Sequence, residues 1–162
     1  MFPLDYDFVD TTLKITKDLV AKPKEERYEY DVTLLTNCLL GLIVFPKENA
    51  LGAIEPRPLK DLKGWGVEPS QITLECQSDK CRQHKSGNTP RHVVYHLRNA
   101  VAHAGVHLWG ETEKEITLVK FVDWPPGAKD PVFEAEIPVS ALETFAVKVA
   151  EQYKPSLKAS IR

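Results

Sequence analysis

The chain holds little that would tie it to an oxidising compartment, a membrane or a nucleic-acid coat. Its 162 residues include three cysteines. Cys38, Cys76 and Cys81 are odd in number and unevenly spaced, which excludes a disulfide framework and fits a reducing cytoplasm. The longest apolar stretch, Val32 to Phe45, is interrupted by Thr33, Thr36 and Asn37. It falls short of the roughly 20 apolar residues of a membrane span. Met1 to Asp5 shows no basic segment followed by an apolar run, so no signal peptide is expected and the cytoplasm is the expected location. A net charge of −2 excludes a general affinity for polyanions. Internal repeats and low-complexity tracts are absent. What remains is an ordinary globular composition, 43% hydrophobic and 27% charged, long enough for one domain with its own core.

Acids are missing from one place in particular. From Lys80 to Gly110 there is no Asp or Glu, while five Lys or Arg and all five His of the protein occur there. Positive charge is thus concentrated as an anion site would need. The same stretch predicts a helix. Thr89 can cap the first free N–H groups, Pro90 suits the first helical position, and Gly105 suits the left-handed turn that ends helices. Val93, Val94, Leu97, Ala100, Val101 and Ala104 recur at helical spacing and form a core-facing stripe. Beside it His92, His96, Asn99 and His103 form a polar line along the helix flank. Spacing alone also allows a plainer reading, in which His103 caps carbonyls at the helix end and Arg98 faces solvent.

The residues Arg98-Asn99-Ala100-Val101-Ala102-His103 resemble the R-x4-6-H signature of the HEPN superfamily in its Arg-Asn-x-x-x-His form. Their place on a late helix, after two long ones, is similar to stand-alone bacterial HEPN domains of plasmid and defence type. The resemblance implies a metal-independent endoribonuclease acting as a toxin or in host defence. It implies Arg98, Asn99 and His103 as the catalytic residues. A histidine titrates near neutrality and can move the protons of 2′-OH attack. An arginine fork matches phosphate oxygens. Asn99, one turn before His103, can hydrogen-bond its ring or the substrate. Arg91, His92, His96 and Lys85 are the expected RNA-binding residues. The legible aromatics do not form a stacking surface, which argues against a broad single-strand binder.

The resemblance also implies a homodimer through the motif helix. On an ideal helix Arg98 and His103 point about 140° apart, so two helices related by a two-fold axis can bring them together where one cannot. No cofactor and no metal are expected. RNA is the expected partner, an antitoxin protein is a candidate partner, and no membrane is involved. Relatives paired with a nucleotidyltransferase antitoxin carry Tyr two residues after the motif His; Gly105 stands there in this chain, so control by nucleotide transfer is not expected. Two other readings remain open: a catalytically inactive RNA- or nucleotide-binding HEPN module, and a structural or regulatory dimerisation protein.

The remaining chain predicts the frame. A first helix from Leu4 to Ala21 is expected to bury Phe8, Thr12, Ile15 and Leu19. A second, from Glu25 to Phe45, is apolar almost all round and is expected at the centre, with Cys38 inert and Asn37 buried and hydrogen-bonded. Pro46 to Asn88 is punctuated by prolines and glycines, which predicts irregular structure, a helical turn at Leu59 to Leu62, and Trp65 as an anchor. Cys76-x4-Cys81-x2-His84 supplies metal-ligand types, but no second knuckle follows it. Val106 to Trp109, Ile116 to Val122 and Val132 to Ile137 read as strands. Ser140-x-x-Glu143 reads as a capping box opening a last helix from Ala141 to Tyr153, closed by Pro155. The expected fold is mainly α: a HEPN-like up-and-down helical bundle with a small antiparallel β meander before the last helix. One domain spans 1–155, and 156–162 form a frayed basic tail.

Overall fold

A computed structural model describes residues 5–26, 29–45, 48–75, 88–111 and 115–159. The helices are α1 (Asp5–Ala21), α2 (Glu29–Val44), the short α3 (Glu48–Leu51), α4 (Pro90–Ala102) and α5 (Val139–Ala159). The strands are β1 (Ile72–Leu74), β2 (Val106–Trp109), β3 (Leu118–Asp123) and β4 (Phe133–Pro138). The fold is mainly α with a small antiparallel sheet of order β1-β4-β3-β2. Strands β2, β3 and β4 form the expected meander before the last helix. The fourth strand, β1, was not legible; it comes from the long connection and pairs with β4 through a shifted register.

Helix α2 packs against α1, α4 and α5, so it is central as expected. It does not bury its whole circumference. Leu35, Leu39, Leu42 and Ile43 point inward, while Leu34, Asn37 and Val44 share an exposed stripe. Asn37 is therefore in solvent, not in the core; its hydrophobic neighbours outnumber the places the bundle has to bury them. Helix α1 buries Thr12 and Leu19 as expected, together with Val9, Leu13 and Thr16, whereas Phe8 and Ile15 are exposed. Phe8 stacks instead on Phe45, with centroids 4.9 Å apart.

Trp65 does anchor the connection. It is buried edge-on against Phe145 of α5, at 6.1 Å. Next to it Gly66 takes φ +85°, and a Cβ there would stand 2.3 Å from the Ala141 carbonyl oxygen. Only glycine lets the loop cross the start of α5 so closely. The expected helical turn is present as a 3-10 turn at Leu59–Asp61.

Helix α5 begins at Val139, directly after β4, and does not end at Pro155. It continues to Ala159. Pro155 removes one N–H from the ladder, but it does so on an exposed face. The turn around it is held from inside. The buried Tyr153 hydroxyl donates to the Leu42 carbonyl at 2.9 Å, and Ser156 Oγ donates to the Tyr153 carbonyl at 2.6 Å. Among the described residues no helix is long and apolar enough to cross a membrane.

Candidate functional site

Helix α4 is set by its ends. The Thr89 hydroxyl accepts the His92 N–H at 3.2 Å, and Pro90 opens the first turn. At the other end His103 is the C-cap, its N–H donating to the Asn99 carbonyl at 2.9 Å. The left-handed residue is Ala104, with φ 58°, rather than Gly105. Gly105 is needed for a different reason. A Cβ there would lie 2.0 Å from the Val122 carbonyl oxygen, so glycine lets the chain turn against β3. This close approach presses α4 onto the sheet.

The polar line of α4 divides on contact with that sheet. In β3, Val119, Phe121 and Asp123 alternate inward, so period-two patterning delivers a carboxylate where an apolar side chain would be usual. Asp123 and His96 are each 1% exposed. His96 Nδ1 donates to Asp123 Oδ2 at 2.6 Å, and the His96 ring stacks on Phe133, 4.6 Å away and nearly parallel. Across the ring, His96 Nε2 lies 3.1 Å from His92 Nε2, one nitrogen donating and the other accepting. Asn99 Nδ2 donates to the same Asp123 Oδ2 at 3.1 Å. Asp123 Oδ1 is buried with no hydrogen-bond partner among the described residues.

His92 and His96, expected as RNA contacts on an open flank, are thus inside the protein. The helix needs a face roughly 100° wide or more for the core, and the sheet extends that face over both rings. Arg91 is tied to protein, its Nη2 donating to the Gly52 and Ile54 carbonyls at 2.8 and 3.0 Å. Lys85, with Cys76, Cys81 and His84, lies outside the described residues. No group of three metal-ligating side chains converges among the described residues.

The other motif residues are unengaged. Arg98 is half-buried, and its Nε is buried with no hydrogen-bond partner. The His103 ring is exposed. Neither side chain makes an ion pair or hydrogen bond among the described residues. Sequence reasoning missed Asp123, although an Asp closing the alternating run Val119-Lys120-Phe121-Val122-Asp123 was a usable signal. Tyr95, Trp109 and Trp124 are exposed aromatics, on α4, on β2 and just after β3.

No curated protein and no solved structure matches this sequence. The family model described as HEPN pEK499 p136 does, over residues 3–158. That span covers nearly the whole chain, including the Arg98–His103 helix and the sheet beneath it. The chain therefore belongs to the HEPN pEK499 p136 family, within the HEPN superfamily.

Proposed function

We propose that the protein is a metal-independent endoribonuclease of toxin or host-defence type, built on a HEPN bundle. It works as a two-fold homodimer with the motif helices facing each other across an RNA cleft. One observation supports this most strongly: Arg98 keeps a buried Nε without a partner, on the same helix as an unengaged His103. A buried guanidinium N–H with no acceptor is costly, by about 1–3 kcal/mol. A phosphate oxygen is the acceptor that would relieve it.

In this reading the 2′-oxygen attacks the adjacent phosphorus as its proton leaves to a general base. The P–O5′ bond breaks, and a general acid protonates the departing 5′-oxygen. The products are a 2′,3′-cyclic phosphate and a 5′-hydroxyl. His103 moves one of these protons, and Arg98 stabilises the charge gathering on the non-bridging oxygens. Asn99 orients the His103 ring or the substrate. Arg91 and Lys85 add positive charge to the approach, whereas His92 and His96 lie beneath the site and support it from inside.

The test is incubation of the purified protein with mixed RNA in EDTA. Cleavage to cyclic-phosphate ends is expected, and its loss in Arg98→Ala and His103→Ala. Equal cleavage by the variants would overturn the assignment. Binding without any product would favour the inactive RNA-binding module, the reading that the exposed Tyr95, Trp109 and Trp124 also suit. Its mark would be salt-dependent affinity.

A further inference from the structure

We infer that Asp123 is the positioning residue of this site: it fixes the Asn99 amide so that Oδ1, open in this structure, is the group that accepts an N–H of the His103 ring when RNA is bound. The inference rests on the ribonuclease reading. It starts from the amide's two ends. Asn99 Nδ2 is committed inward to Asp123 Oδ2 at 3.1 Å. Its Oδ1, on the opposite corner of the planar amide, makes no hydrogen bond among the described residues.

His103 lies one helical turn on, where side chains at i and i+4 are neighbours, about 5–6 Å apart at Cβ. The backbone closes that turn between the same two residues, through the 2.9 Å bond from His103 N–H to the Asn99 carbonyl. An amide oxygen that accepts one ring N–H fixes the tautomer and leaves the other ring nitrogen to handle the substrate proton. An amide free to turn about its last bond would present N–H₂ or oxygen indifferently. Asp123 removes that freedom, because a carboxylate oxygen only accepts.

Asp123 is suited to this task by its own rigidity. It is 1% exposed, on a paired strand, with His96 bonded to the same oxygen and stacked on Phe133. It has no access to RNA and therefore acts through Asn99. Its bond to His96 offsets part of the cost of burying it. An inward strand position next to Val119 and Phe121 would be filled more cheaply by an apolar residue, and the buried Oδ1 is left without a partner.

A double-mutant cycle on cleavage of a short RNA tests the inference. Asp123→Ala is expected to lower kcat about tenfold or more while leaving KM within about twofold, as loss of a group that orients a site residue does. Asn99→Ala is expected to do the same. The double variant should be no worse than Asn99→Ala alone, since both act on one interaction. Asp123→Asn retains an acceptor oxygen where Oδ2 sits and should recover most of the rate. A purely structural role would make the losses multiply, and would move melting temperature and rate together.

If Asp123→Ala does not fold, Asp123→Val, which removes the acceptor but fills the inward position, takes its place in the cycle. An active wild type with an Asp123→Ala or Asp123→Val protein of equal kcat, or with multiplying losses, overturns this inference alone. A wild type that does not cleave RNA overturns the ribonuclease reading and this inference with it.

Discussion

Two sets of polar side chains share helix α4, and their hydrogen bonding is opposite. His92, His96 and Asn99 turn toward the sheet, where His96 and Asn99 converge on one carboxylate oxygen. Arg98 and His103 have no side-chain partner among the described residues. A partnered polar group inside a protein contributes specificity and order; an unpartnered one costs free energy unless something arrives to satisfy it. Most of the histidine-rich character of this helix is therefore support. The two groups left open are the ones to which the proposed chemistry is assigned.

The largest effect expected from breaking this division is at the open set. Arg98→Ala and His103→Ala should each lower RNA cleavage by roughly 10²–10⁴-fold, the range for a lost proton-transfer or charge-stabilising group. Their urea midpoints should stay close to wild type, because neither side chain holds the fold. Equal losses of stability and activity would erase the distinction between the sets.

The proposed dimer sharpens the same point. Mixing inactive Arg98→Ala with inactive His103→Ala protein should restore about a quarter of wild-type activity. Half of the dimers are then mixed, and one of their two shared sites carries an intact Arg–His pair. A sedimenting monomer with no restored activity would overturn the shared site.

The supporting set should answer in stability. His96→Ala removes the 2.6 Å partner of a buried carboxylate and the ring stacked on Phe133. A loss of about 2–4 kcal/mol in urea unfolding is expected from the unpaired group and the cavity together. A change below about 0.5 kcal/mol would show that water reaches Asp123 freely.

Much of this frame was legible in the sequence. Strand β2 and helix α4 follow directly from periodicity and capping, and Trp65 was readable as an anchor. The parts that were not legible share a physical cause: they depend on what lies across from a residue. Asn37 falls on the outer stripe of α2 only because α1, α4 and α5 occupy the other sides. His96 looks like a flank residue until β3 covers it. Strand β1 is three residues long and is stabilised by pairing to β4, not by any pattern of its own. Pro155 would end an isolated helix, but Tyr153, bonded to Leu42, holds the turn from within. In the candidate site, Arg98, Asn99 and His103 came from the motif, while Asp123 needed the sheet.

The smallest expected effect is at a third kind of polar cluster, a partly exposed one that links α1 to α5. Asp10 of α1 is bonded to Lys14 at 2.7 Å, and Lys154 of α5 bonds its other oxygen. Lys14 first, then Lys154, holds its carboxyl down to about 2, against burial. A carboxylate with a lowered folded-state pKa stabilises the protein above its unfolded value near 3.8, and that contribution is lost as pH falls toward 2. Wild-type melting temperature should therefore drop more steeply than that of Asp10→Asn between about pH 4 and pH 2, with the two curves meeting at the acid end. High salt should shrink the gap at pH 7, because exposed ion pairs are screened. Parallel curves at every pH would show that this cluster does nothing for stability. A gap that ignores salt would place Asp10 with the buried group at Asp123 instead of on the surface.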